Sequence, residues 1–270
     1  MFTFTRFIGA LLLGAAAAAV AAPPRSFSDF TPSGHGFAFV NHFTGSSLPG
    51  PLVLLHKAVN APDEFGLCGG MCFAAADFFL AGRDIPAQAN APKRGQPLYD
   101  YIYQRQIDSF GPRLSFAAKF SRWMDLPDDG LFAAGSATLG ELDAMLDALA
   151  QLQPVHIGLV YINSEKTRIP WNNHQVLATG ATLAPESAEG ITECSLRVYD
   201  PNYPGNDHAR IDIRLTCEGF DRLGHDRVPI IGSVCTLVIP RTDGRADRTR
   251  NVRGMFAMPY EPRTPPETLK

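Results

Sequence analysis

The sequence predicts an α+β fold in which helices come first and an antiparallel sheet follows. Apolar residues recur at helical spacing through much of residues 65–152, whereas from Val155 onward they alternate with a period of two. Helices followed by strands are typical of α+β domains. With 270 residues, of which 45% are apolar and 19% charged, the chain is long enough to bury a large core.

The helical half begins with a buried helix in residues 65–82, which read FGLCGGMCFAAADFFLAG, and Gly82 is a plausible stop. Two further helices are expected to open at Pro97 and Pro112, because proline suits the first turn. A last helix is predicted over 139–152, with Thr138 and Glu141 as its capping box.

In the second half, apolar residues alternate with the period of two that is typical of strands. Between the predicted strands, residues 184–190 form a hairpin-like connection, and the charged segment Arg241–Arg253 is expected to be a solvated loop. The predicted strands are 155–162, 174–182, 195–200, 209–217, 232–239 and 254–259.

Cys68 lies where the first buried helix begins. Free backbone N–H groups and the positive end of the helix dipole favour a thiolate at that place. The same N–H groups can stabilise an oxyanion, and Gly69 and Gly70 would let a substrate approach the backbone closely. Cys68 is therefore the candidate nucleophile.

His174 and Asp200 supply the other parts of a thiol catalytic site. His174 opens the strand within WNNHQVLATGAT, and Asp200 closes the strand within SLRVYDPN. A nucleophile needs a base, and the base needs a group that orients it. We therefore predict a triad of Cys68, His174 and Asp200.

In these motifs the chain resembles the papain-like cysteine peptidase superfamily, in particular its compact bacterial C39-like members. The order Cys, His, Asp, the Cys-Gly at a helix start and the Asp-Pro after a strand all recur there. The resemblance implies a papain-like fold in which the nucleophile helix packs against a C-terminal antiparallel sheet. It also implies a secreted thiol hydrolase, most simply a cysteine peptidase acting on a peptide or amide through a thioester.

Some assignments within this site have rivals. Cys72 is a second candidate nucleophile, since Cys72-Phe73-Ala74 resembles the Cys-aromatic-Ala of papain itself. His156 is a rival base and Asn202 a rival orienting group. Asn41 is a candidate for lining the cleft.

The oxyanion hole is the clearest departure from the family. Papain-like enzymes usually carry a Gln shortly before the nucleophile, but Pro62 stands there in this chain. Asn60 is the nearest amide side chain, so we name Gly69, Gly70 and Asn60 as candidates for the hole.

The sequence also allows two alternative functions. One is a thiol amidase or acyltransferase on the same scaffold, and the other is a non-catalytic binding protein that keeps the fold.

Residues 1–22 are typical of a secretory signal peptide, with one Arg, an apolar run and small residues at 19–21. We expect the mature protein to be secreted or periplasmic, with no stable membrane anchor, one papain-like domain over 23–260 and a loose tail over 261–270. Exported cysteines usually pair, so the odd count of five fits one free nucleophile. A net charge of -3 gives no case for nucleic acid, and no metal or cofactor is expected.

Overall fold

The computed structural model describes residues 26–45, 63–164, 172–184, 193–223 and 226–269, apart from the side chains of 216–230. Its helices come first and a curled antiparallel sheet follows, which confirms the α+β prediction at that level. The helices are α1 Pro32–His35, α2 Cys68–Leu80, α3 Pro97–Ser109, α4 Ser115–Met124 and α5 Ala134–Ala150.

The strands form two sheets. A small sheet pairs β1, Phe43–Thr44, with β2, Glu64–Phe65. The main sheet has seven strands in the order β8-β7-β6-β5-β4-β3-β9, and all of its pairs are antiparallel. Its strands are β3 Val155–Val160, β4 His174–Leu183, β5 Glu193–Tyr199, β6 Arg210–Leu223, β7 Asp226–Ile239, β8 Arg248–Val252 and β9 Gly254–Met258.

The start of α2 is held unusually close to its neighbours because it carries two glycines. A Cβ on Gly69 would lie 2.1 Å from the Gln175 side-chain oxygen, and one on Gly70 would lie 2.1 Å from the Ile102 carbonyl oxygen. The glycines thus allow α2 to approach α3 and β4. Gln175 and α3 therefore occupy the space beside the α-carbons of these two glycines.

An irregular arm formed by residues 26–45 covers α2 with aromatic side chains. The arm ends by pairing with the residues just before α2. This places Asn41 beside the start of the nucleophile helix. The buried phenylalanines of the arm are Phe27, Phe30, Phe37, Phe39 and Phe43.

The curl of the main sheet brings its two edges together at Arg253. One residue separates β8, which pairs with β7, from β9, which pairs with β3 at the opposite edge. The Arg253 backbone N–H donates to the Val160 carbonyl at 3.0 Å. Its guanidinium donates to the carbonyls of Ile162 at 2.6 Å and Leu126 at 2.7 Å, and it pairs with Asp128.

Strand β8 corrects the prediction that Arg241–Arg253 is entirely a solvated loop. Arg248, Arg250 and their neighbours are exposed, so the segment lacks the apolar alternation that marks a strand. Backbone pairing with β7 nevertheless holds it, with Arg250 opposite Leu237. Val252 is its buried residue.

Helix α5 begins at Ala134, so the predicted capping box at Thr138 is wrong. Thr138 lies inside the helix, where its hydroxyl donates to the Ala134 carbonyl at 2.9 Å. The same hydroxyl accepts the Met255 N–H at 3.0 Å, and the Glu141 carboxylate accepts the Ala257 N–H at 3.2 Å. These two side chains satisfy outward-facing N–H groups of the edge strand β9.

The C-terminal segment expected to be a loose tail is instead fastened to α2 and α3 over its described residues. Arg83 donates to the Pro265 carbonyl at 2.5 Å, and Arg105 donates to the Glu261 carbonyl at 2.8 Å. The buried Asp77 carboxylate accepts the Arg263 N–H at 2.8 Å. Three charged residues, Asp77, Arg83 and Arg105, therefore hold a segment whose own sequence has no periodicity.

Several sequence predictions fall on residues outside the described ranges. They are the signal peptide, Asn60 and the connection after Ala184. Within the described ranges, no helix is long and apolar enough to cross a membrane. The same ranges contain no cluster of three or more His, Cys, Asp or Glu that could hold a metal ion.

The contacts of Arg253 lead to a prediction about stability. Arg253→Met should lower the free energy of unfolding by about 2 kcal/mol, because it leaves carbonyl acceptors unpaired where the two edges of the sheet meet. Chemical denaturation followed by circular dichroism measures this change. Arg245→Met is the matched control, because the Arg245 side chain is 76% exposed, and its effect should stay within about 0.5 kcal/mol. Equal effects of the two substitutions would contradict the role given to Arg253.

Candidate active site

Three elements bring the predicted catalytic residues to one place. Cys68 is the first residue of α2, His174 is the first residue of β4, and Asp200 directly follows β5. Since β4 and β5 are antiparallel, the start of one lies beside the end of the other, with Leu177 opposite Tyr199. Helix α2 packs on β4, which places Cys68 at the same end of the sheet.

The three side chains lie close together. His174 Nε2 lies 2.8 Å from Asp200 Oδ1, and the Cys68 side chain is near enough to the imidazole to raise its pKa. Because Nε2 is engaged by the carboxylate, Nδ1 is the ring nitrogen left for the sulfur. The Asp200 side chain is fully buried, and its Oδ1 also accepts the Asn202 backbone N–H at 2.9 Å.

The surroundings of His174 favour its charged form. Burial lowers the pKa of His174, but the charge of Asp200 and the hydrogen bonds to Asp200 and Cys68 outweigh burial and raise it from 6.5 to about 10. A raised pKa means that the folded state holds this proton more tightly than the unfolded chain does. The resulting stabilisation is complete below pH 6.5 and is lost as the pH rises toward 10.

Exposure separates the two candidate nucleophiles. Cys68 is partly exposed, whereas Cys72 is fully buried and directs its thiol toward the Gln175 carbonyl at 3.7 Å. Burial, followed by the charges of Cys68 and Asp200, raises the pKa of the Cys72 thiol. Cys72 is thus a protonated core thiol, whereas Cys68 is the partly exposed sulfur near His174. Cys194 and Cys235 are likewise buried free thiols.

The N–H groups at the start of α2 are divided between the protein and the cleft. The Leu67 N–H donates to Asn41 Oδ1 at 2.6 Å, and the Gly70 N–H donates to Gln106 Oε1 at 2.9 Å. Among the described residues, none accepts the N–H of Cys68 or Gly69. Gly70 is therefore a poor candidate for an oxyanion hole, and the N–H groups of Cys68 and Gly69 remain available.

Asn41 links the start of α2 to the loop that follows Asp200. Its Nδ2 donates to Asn202 Oδ1 at 3.0 Å, while its Oδ1 holds the Leu67 N–H. Asn202 Nδ2 lies 3.3 Å from His174 Nε2, farther away than Asp200 Oδ1. Asp200 is thus the closer partner of the imidazole, and Asn202 supports the loop.

Sequence analysis did not find all of these supports. Gln106 and Asn173 went unnoticed, and Asn41 was considered only as a residue lining the cleft. Asn173 Oδ1 accepts the N–H groups of Tyr161 at 2.9 Å and Ile162 at 3.2 Å, and so fixes the chain after β3. The partners lie far apart in sequence, and isolated amides carry no linear signal that could have revealed these contacts.

His156, the rival base, faces a different environment. Its ring lies 4.3 Å from the Phe73 ring and 4.5 Å from the Tyr260 ring, measured between centroids. Both ring nitrogens are buried, and no described residue hydrogen-bonds to them. Burial and the nearby Arg105 charge lower the pKa of His156, so it is a neutral aromatic component of the core.

Comparisons with protein-family models, with curated proteins and with solved structures found no match for this chain. The site is therefore interpreted from its own geometry.

The geometry leads to a prediction about thiol reactivity. Iodoacetamide should label Cys68 at pH 6 at least about ten times faster than it does in His174→Ala, because the imidazolium that stabilises the thiolate is then absent. Quenched time points analysed by peptide mass spectrometry measure both rates. Cys72→Ser is the control and should leave the Cys68 rate unchanged. Equal Cys68 rates in the wild type and His174→Ala would contradict a role for His174 in activating the Cys68 thiol.

Proposed function

We propose that this protein is a thiol hydrolase of the papain-like superfamily, of the compact C39-like kind, and most simply a cysteine peptidase. The observation that carries the proposal is that Cys68, at the start of α2, lies near the hydrogen-bonded pair of His174 and Asp200. The partly exposed sulfur, the base and the buried carboxylate have the roles that thiol acyl transfer requires.

Acylation begins with the thiolate of Cys68. The sulfur attacks the carbonyl carbon of a peptide or amide, and a tetrahedral oxyanion forms. The N–H groups of Cys68 and Gly69 are the donors for this oxyanion, because they point out of a helix start with no described acceptor. The imidazolium of His174 then gives its proton to the leaving nitrogen as the carbon–nitrogen bond breaks.

Deacylation uses the same groups in reverse. The neutral imidazole of His174 takes a proton from water as the water oxygen attacks the thioester carbon. The carbon–sulfur bond breaks, the carboxylic acid leaves, and the thiolate–imidazolium pair is restored. Throughout both steps Asp200 holds the ring and stabilises its positive charge.

The burial of Asp200 suits this role. A carboxylate that is 1% exposed is expensive to leave unpaired, so it favours the charged imidazole beside it.

The proposed substrate is a peptide or another amide. The proposed place of action is outside the cytoplasm, either secreted or periplasmic.

The proposal predicts a covalent acyl-enzyme at Cys68. Incubation with a mixed peptide library, followed by acid quenching and mass spectrometry, should reveal cleavage products and an acyl group on the Cys68 peptide. Cys68→Ala should abolish both, and Asp200→Asn should slow turnover more mildly than His174→Ala does, because an amide still orients the ring. Cys72→Ser is the matched control and should retain turnover.

Other outcomes would replace this proposal with a different function. Transfer of the acyl group to an added amine in place of water would identify an acyltransferase. A correctly folded protein that labels rapidly at Cys68 but cleaves no peptide or amide would contradict the hydrolase proposal.

A further inference from the structure

Two arginines of β8 lie beside the proposed catalytic base. A cavity of about 60 Å³ is lined by Arg248 and Arg250 together with His174, Asp200, Tyr161 and Tyr203. The curl of the sheet explains this proximity, since it brings β8 next to the end of β3, which Tyr161 directly follows. The arginines are far from Cys68 in sequence, yet they share one depression with its partners.

These arginines lack the acidic partners that several other arginines of the chain have. Among the described residues, no carboxylate forms an ion pair with Arg248 or Arg250, and both are exposed. The acidic group in the depression is Asp200, and its charge is matched by His174. By contrast, described arginines with a carboxylate partner are Arg105, Arg210, Arg241, Arg245, Arg253 and Arg263.

Aromatic rings hold the two guanidiniums in place. The Arg250 Cζ lies 3.6 Å from the centroid of the Tyr161 ring, and the Arg248 Cζ lies 5.6 Å from that of Tyr203. A guanidinium stacked on a ring keeps the N–H groups at its edge free. These edges are suited to the two oxygens of a carboxylate.

Tyr161 lines the depression between Arg250, which stacks on its ring, and the pair of His174 and Asp200. Its hydroxyl is buried and has no hydrogen-bond partner among the described residues. Burial, followed by the charge of Asp200, raises the pKa of Tyr161, so its hydroxyl is a neutral donor. An unpaired buried hydroxyl is costly unless a ligand oxygen accepts from it.

We propose that Arg248, Arg250 and Tyr161 form an anion subsite that selects substrates carrying a carboxylate near the bond attacked by Cys68. This inference deepens the proposed function and rests on it. The carboxylate belongs either to an acidic side chain or to a free chain terminus, since both offer the same two oxygens to a guanidinium edge.

The first experiment does not require turnover. Iodoacetate and iodoacetamide alkylate the same sulfur, but only iodoacetate carries a carboxylate, so the ratio of their rates at Cys68 reports on the subsite. At pH 7 and low salt, Arg250→Gln should lower this ratio by about fivefold, and Arg248→Gln should lower it in the same direction. Arg250→Lys should lie in between, since it keeps the charge but not the fork.

Arg245→Gln is the matched control, because Arg245 is an exposed arginine near the start of β8 that lies 3.8 Å from Asp243. Its ratio should equal that of the wild type. In 1 M salt the difference between the wild type and Arg250→Gln should shrink, because exposed charges are screened. An identical ratio in the wild type, Arg248→Gln and Arg250→Gln would overturn the subsite.

The second experiment identifies the source of the carboxylate. Peptides in matched pairs, with Glu or Gln at each position and with a free or amidated C-terminus, are compared by kcat/KM. The acidic member of one kind of pair should be preferred at least about tenfold, and Arg250→Gln should remove the preference. A preference within the Glu and Gln pairs assigns a side chain, and one within the terminal pairs assigns the chain end.

The two proposals fail in different ways. Cleavage of peptides with no carboxylate preference overturns the subsite but leaves the hydrolase. An alkylation ratio that depends on the arginines, with no cleavage of any peptide, supports the anion site and contradicts the hydrolase.

Discussion

The antiparallel pairing of β4 with β5 is the constraint on which the site depends. It places the first residue of one strand, His174, beside the residue that follows the other, Asp200. Their hydrogen bond puts a positive partner next to a carboxylate that is 1% exposed. Because a buried carboxylate is stable only when it is paired, the sheet itself favours a charged imidazole. Helix α2 begins at Cys68 and packs on β4, so the thiol lies near the imidazole.

The curl of the sheet also brings its two edge strands, β8 and β9, next to each other. Arg253 lies between the two edge strands and donates to the carbonyls of Ile162 and Leu126. As a result, the exposed arginines of β8 lie beside Tyr161 at the end of β3. The connection between β8 and β9 therefore also places two positive side chains near His174. This position links the architecture of the sheet to the proposed choice of substrate.

The sequence allowed the α+β class and the pairing of His174 with Asp200 to be predicted because each rests on local signals. A cysteine at a helix start, a histidine opening a strand and Asp-Pro after a strand are visible in short windows. Strand β8 could not be recognised because tertiary pairing holds an exposed polar segment. Thr138 was misread because a buried threonine that bonds to β9 has the same spacing to Glu141 as a cap. The ordered tail depends on contacts with Arg83 and Arg105, which are remote in sequence.

The central claim is that the protein holds His174 as an imidazolium beside Cys68, and histidine NMR measures this directly. In protein labelled with ¹⁵N-histidine, the ring nitrogens of His174 should keep the shifts of the protonated form from pH 5 to pH 9, since its pKa is raised to about 10. Asp200→Asn should bring the titration down toward that of an ordinary histidine. A wild-type His174 that loses its proton near pH 6.5 would contradict the account.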